Sequence, residues 1–294
     1  MAQNTHHQNS EPAVERLFYP NSSAFVFAAT RLSVHLHLPF YGMVVLSLDD
    51  EPVRIRLGDT VVEQHAMAIW CKDVRFESDS ARFVCIAVNP LHADFRSFVR
   101  IGVAGAIELN RSSFRHLDPL MHAAMTSGYF AHDEVMQLLN GVLEQTRDQL
   151  PAPFKLDSRA AQLMLRVSRQ PRVTLPELAQ ELGLSYHRTS HLFAQAVGIP
   201  ARTYQLWQKL YRAGKPLMRG ASLTEVALTA GFVDSAHYSN AFLHAYGRSP
   251  SEMLKVRRIV VFYRSRTDAS VVSASVRGGP PLNISDVPLA ANSG

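Results

Sequence analysis

The sequence predicts two folded parts: a mainly-β N-terminal domain with a helical element after it, then an all-α C-terminal domain. Three observations carry this. Short apolar runs of period two extend from about Glu15 to Asn89, a helical stripe lies near 135 to 150, and one glycine-turned helical unit is written twice between Leu175 and Leu254. A chain of 294 residues, 47% of them apolar, is long enough to bury two cores.

Residues 1–13 are polar and rich in His, Asn and Gln, which predicts no fixed fold. The domain over 14–150 opens with AFVFAATRLSVHLHL, GMVVLSL, PVRIRLGDTVV, AMAIW and ARFVCIAV, which alternate as half-buried strands do. The segments LPFYG, LDDEP and FESDS read as turns. Short strands at this spacing predict a small antiparallel barrel or jelly roll. From about Ser112 the period changes. Val135, Leu138, Leu139, Val142, Leu143 and Leu150 fall on one helical face, with Glu134, Gln137, Glu144, Gln145 and Asp148 around it. That stripe can pack on the barrel, pair with a second chain, or both, and a homodimer is expected from it. The Pro-flanked LPAPF begins a linker over 151–157, an all-α domain is expected over 158–258, and a Ser/Gly/Pro-rich tail without fixed fold over 259–294.

The repeated unit reads LPELAQELGLSYHRTSHLFAQAVGIP and then SLTEVALTAGFVDSAHYSNAFLHAYGRSP. The offset is 48 from Ala179 to Ala227 and from Gly183 to Gly231, then 49 from Phe193 to Phe242 and from Gly198 to Gly247. Each physical requirement of a helix-turn-helix is met twice. A small residue, Ala179 or Ala227, lets the first helix lie close to the second. Gly183 or Gly231 permits the left-handed turn, and Ser185 or Asp234 caps the next helix. Those second helices are expected over about Tyr186–Ala196 and Ser235–Ala245, with His187, Ser190 and His191 outward near the start of one and Ala236, His237 and Asn240 near the start of the other. An Asn amide can bond an adenine edge through both of its groups, and a histidine can give one bond to guanine or adenine. Arg188, Lys209, Arg212 and Arg248 are assigned to phosphates. For each polar residue a solvated helix face is the plain alternative. Between the units, Tyr204, Trp207, Leu210, Tyr211 and Leu217 predict a connecting helix over about Ala201–Met218, roughly 27 Å long at 1.5 Å per residue.

Charge is divided in the same way. From Lys155 to Arg258 there are 15 Lys and Arg against 6 Asp and Glu, whereas residues 1–154 have 12 against 17. The basic excess therefore coincides with the repeated unit, as phosphate binding requires. The N-terminus lacks the order of a signal peptide and no apolar run approaches about 18 residues, so no membrane association and a cytoplasmic location are expected. Cys71 and Cys85 sit in strand-like runs and read as buried thiols rather than a disulfide or a metal site.

The stretch from about Val173 to Leu254 resembles the AraC/XylS family of bacterial transcription regulators, most plainly in ALTAGFVDSAHYSNAFLHAYGRSPSEM, with its A-x-x-x-G-F, polar cap, F and G-x-[ST]-P. It departs from the family pattern at Thr189, His191, Ala201 and Leu254, and Gly214 and Pro216 fall in the connecting helix. The resemblance implies that the six outward residues named above occupy base-reading positions. It further implies a cupin-like N-terminal barrel that senses a small molecule, dimerising helices, and activation through RNA polymerase.

Cupin metal chemistry would need a full ligand set in the barrel. His35 and His37 lie two apart and would share a strand face, as the first two ligands of such a site do. No Glu follows within LPFYGMVV, and Lys72-Asp73-Val74-Arg75 stands where a later histidine would be sought. No metal and no other cofactor is therefore expected. An effector pocket could be built from His37, Arg54, Arg56 and Trp70, with His35 beside them, although Arg54 and Arg56 equally fit the solvent face of a strand. No hydrolase triad or phosphate loop is visible. The sequence thus predicts a non-enzymatic, sequence-specific regulator of double-stranded DNA, responsive to an unidentified effector and more readily an activator than a repressor. The alternatives are a cupin-type metalloenzyme with an appended DNA-binding domain, which lacks its ligand set, and a DNA-repair protein, which lacks a clustered reactive cysteine.

Overall fold

The computed structural model describes residues 15–255 apart from 19, 21–22, 37–39, 71–72, 103–104, 127–129, 154 and 171–172. The expectations for residues 1–13 and 259–294, and those placed on His37 and Cys71, lie outside the described residues.

The N-terminal part is an antiparallel sheet built from β1 (Glu15–Phe18), β2 (Ala24–Leu36), β3 (Gly42–Ser47), β4 (Val53–Leu57), β5 (Thr60–Gln64), β6 (Ala66–Ile69), β7 (Val74–Val88) and β8 (Ala106–Glu108). Its order is β1-β2-β7-β3-β6-β8, with β4 pairing β7 and β5. Among the described residues the ladder does not close on itself, so the expected barrel is realised as a folded, open sheet. FESDS, read as a turn, lies inside β7. The β2 strand runs antiparallel to β7 along its length and the register slips between Thr30 and Leu32, so a bulge carries the polar segment without breaking the pair.

Alternation divides the sheet between two cores. Val26, Ala28, Val44, Leu46, Val84, Ile86 and Val88 point to one side. Ala29, Met43, Val45, Phe83, Cys85 and Ala87 point to the other, with Val53, Ile55 and Phe76. Phe76 and Phe83 stack there with centroids 5.4 Å apart. Cys85 is fully enclosed, and burial pushes its thiol up to about 12.

Helices cover the first side. After α1 (Phe95–Val99) and a 3₁₀ turn (Arg111–Leu117) come α2 (Asp118–Thr126) and α3 (His132–Arg147). The stripe expected to serve a dimer is spent within the chain: Val135, Leu138, Leu139, Val142 and Leu143 are all buried in the core that the sheet shares with Phe114 and Met121. Pairing of two chains through this stripe is therefore corrected, because its apolar area is already removed from water. Arg147 at the end of α3 bonds Asp94 beside α1 at 2.9 Å.

The C-terminal part is all helical: α4 (Ser158–Arg169), α5 (Leu175–Leu182), α6 (Tyr186–Val197), α7 (Ala201–Met218), α8 (Leu223–Ala230), α9 (Ser235–Tyr246) and α10 (Pro250–Lys255). Arg166 of α4 grips Glu181 of α5 at 2.8 Å, and Thr174 and Glu177 form a reciprocal cap on α5. The two parts share a continuous apolar core. Tyr41, after β2, packs edge-on to Phe25, and its hydroxyl is raised by burial and then by Tyr246 of α9.

Candidate nucleic-acid interface

Local chemistry fixes each helix-turn-helix, and the two copies use the same bonds. In the first turn Gly183 has φ 61°, and Leu184 N–H donates to Ala179 O at 3.0 Å. In the second, Gly231 has φ 87°, and Phe232 N–H donates to Ala227 O at 2.9 Å. A left-handed glycine followed by a six-to-one bond closes both helices in the Schellman manner. The next helix is then started by a side-chain oxygen. Ser185 accepts from Arg188 N–H at 3.3 Å, and Asp234 accepts from His237 N–H at 2.7 Å. Gly198 and Gly247, both with positive φ, end α6 and α9.

These caps orient the outward faces. On α6, His187 and His191 are exposed, Ser190 is partly exposed, and the histidine rings stand 4.6 Å apart. On α9, Ala236, His237 and Asn240 are all exposed. The opposite sides are buried: Thr189, Phe193, Ala196 and Val197 on α6, and Tyr238, Phe242 and Ala245 on α9.

Between the units, α7 runs unbroken for 18 residues through Gly214 and Pro216. Tyr204, Trp207, Leu210, Ala213 and Leu217 form its buried side. Phe193 and Tyr204 meet with centroids 5.3 Å apart, and Phe232, Tyr238 and Phe242 form a similar cluster in the second unit. Burial raises the Tyr204 hydroxyl to about 12 and pushes that of Tyr238 higher still.

The residues assigned to phosphates divide. Arg188 is exposed at the start of α6 and Arg248 is partly exposed after α9. Lys209 and Arg212 are instead partly buried: Arg212 Nη2 donates to Ala230 O at 3.1 Å, and Lys209 Nζ lies 5.5 Å from the centre of the Phe232 ring. The Arg212 guanidinium thereby satisfies an orphan carbonyl at the end of α8 with one of its donors. Sequence reasoning missed Asp157 and Arg159, which share a cleft of about 290 Å³ with His187, Arg188 and His191. Nothing in their local pattern announced it, since the N-terminus of α4 meets α6 only in the fold.

Of the residues proposed for an effector pocket, Arg54 and Arg56 both reach Glu77, and Arg56 lies in register with the same Arg75 that His35 pairs with. Backbone register pairs His35 of β2 with Arg75 of β7. Arg54 pairs with Glu63 at 3.2 Å, and Arg56 with Glu77 at 2.9 Å. The Arg56 guanidinium holds the Glu77 carboxyl below its usual range. Trp70 is half-buried and stands edge-on to Phe95, 5.2 Å between centroids. No group of three or more His, Cys, Asp or Glu residues poised to hold a metal ion occurs among the described residues.

Two capped helices with polar outer faces, set at the ends of one rigid connector, define a tandem helix-turn-helix domain of the kind that docks on duplex DNA. Residues 178–255 match the model of a helix-turn-helix domain family. The HTH-type transcriptional regulator ArgR of Pseudomonas aeruginosa is 26% identical over 143 residues, which are 47% of this chain and 43% of that protein. The uncharacterized HTH-type transcriptional regulator YidL of Escherichia coli is 36% identical over 92 residues, 31% of each chain. The chain thus spans less than half the length of the curated relatives it matches. A crystal structure of apo ToxT from Vibrio cholerae superposes with a TM-score of 0.51 at 12% identity, covering 79% of this chain and 97% of that one, a likeness of fold. Over its tandem domain the chain is therefore similar to helix-turn-helix transcriptional regulators.

Proposed function

We propose that this protein is a sequence-specific transcription regulator that reads a bipartite duplex site with α6 and α9. The observation that carries the proposal is the repetition of one capped, glycine-turned unit with its polar face outward on both copies. His187, Ser190 and His191 read one half-site, and Ala236, His237 and Asn240 the other, while Arg188 and Arg248 hold phosphates. Because α7 is about 27 Å long, the two helices enter successive major-groove segments on one face of the duplex, and a single chain reads two unlike elements in one orientation.

The sheet domain is proposed to sense an unidentified small molecule, and the resemblance to AraC/XylS regulators supports activation through RNA polymerase as its output. A homodimer would form on a surface other than the α3 stripe. The names of the matched regulators support a non-enzymatic role. No helix among the described residues is long and apolar enough to cross a membrane.

The test is quantitative binding of the full-length chain to a genomic duplex library. Enrichment of discrete sites, with affinity falling steeply as salt rises, supports the proposal. Equal retention of all fragments refutes sequence-specific reading.

A further inference from the structure

We propose that α6 carries a divalent-metal site formed by His187 and His191, and that its occupation excludes DNA from the first reading helix. The two imidazoles stand one turn apart on one helix face, both exposed, with ring centres 4.6 Å apart and planes inclined at 57°. This i, i+4 placement lets one ring nitrogen from each histidine bind a single ion, and imidazole favours zinc, nickel and copper among the divalent metals. The pair also lines a shallow, open cleft of about 290 Å³ with Asp157, Arg159, Arg188 and Gln195. Asp157, which caps α4 by accepting from Ala160 N–H at 2.7 Å, is the acidic side chain of that cleft, beside the guanidinium groups of Arg159 and Arg188. Since no third ligating side chain stands within reach among the described residues, water completes the coordination.

The exclusion rests on the proposed reading of α6. A histidine nitrogen that ligates a metal cannot also bond a base edge, and a hydrated ion between the rings fills the space that the groove floor would take. Metal therefore disables one half of a bipartite reader and leaves α9 untouched.

The experiment is calorimetric titration of Zn²⁺ into the full-length protein and into its His187→Ala and His191→Ala variants, each with and without saturating mixed-sequence duplex. The remaining histidines, including His6 and His7, give a background common to all three proteins. The wild-type chain should bind one equivalent more than either variant, and duplex should suppress that equivalent alone. Equal stoichiometry in the three proteins overturns the site. An extra equivalent that persists on the DNA-saturated protein overturns the exclusion. Failure of the proposed reading shows separately, as duplex that does not bind the metal-free protein.

Discussion

Asn240 on α9 and Arg212 on α7 are polar side chains in different surroundings. Asn240 is exposed on α9, one turn beyond Ala236, where its amide can span both groups of an adenine edge. Asn240→Ala should remove about 1–3 kcal/mol of discrimination at one base position while binding to other positions stays unchanged, as read from a panel of single-base operator variants. Arg212 faces inward to the Ala230 carbonyl. Its truncation should cost about 1–3 kcal/mol of stability, seen as a lower urea midpoint, because a charge-assisted bond is lost and a helix-end carbonyl is left bare. If Arg212→Ala weakened DNA binding at full stability, a phosphate role would be supported. The outward position of Asn240 was legible in the sequence, whereas the bond of Arg212 to Ala230 was not. A reading face follows from cap and period, which are local, whereas the partner of Arg212 is brought close only by the packing of α8 on α7.

At the level of helices and strands, the same distinction holds. The boundaries of α6, α7 and α9 were legible to within a residue, because caps, positive-φ glycines and a 3.6-residue period lie in the local sequence. FESDS was misread, since a bulge opposite a 13-residue strand overrides its turn-like composition. The meeting of the two domains had no local signal at all. Gly198 shows the consequence: its φ is +94°, and a Cβ there would stand 2.8 Å from Val99 of α1. Gly198→Ala should therefore destabilise the protein by about 1–3 kcal/mol, and more than a backbone effect confined to the helical domain would. Thermal unfolding of Gly198→Ala against Gly198→Ala/Val99→Ala separates the two terms, and equal midpoints would deny the contact.

His92, just before α1, adds a pH dependence. Burial lowers its pKa, Arg147 lowers it further, and Asp94 opposes them. Its Nδ1 accepts from Asp94 N–H at 3.2 Å, a bond available only to the neutral ring. A histidine with a depressed folded pKa contributes stability above its unfolded value of about 6.5, and that contribution is lost as pH falls through the folded value. Urea midpoints should thus fall below pH 6.5 more steeply for the wild-type chain than for His92→Gln. Parallel slopes would contradict the assignment.

For the molecule as a whole, charge and core pull in different directions. The basic excess of residues 155–258 over the acidic N-terminal part points to DNA affinity seated in one domain. The core does not stop at the linker: Tyr41 packs toward Tyr246, and α9 rests against β2. A fragment limited to the helical domain would expose apolar surface that the sheet now covers, so the intact chain is the proper subject. The central claim is that α6 and α9 read two unlike elements together. Selection from a random duplex library by full-length wild-type and Asn240→Ala proteins tests it most directly. The predicted result is an enriched site of two short unlike elements about 10 bp apart, with one position of one element relaxed in the variant. An enriched site of a single element, or one unchanged by Asn240→Ala, would contradict it.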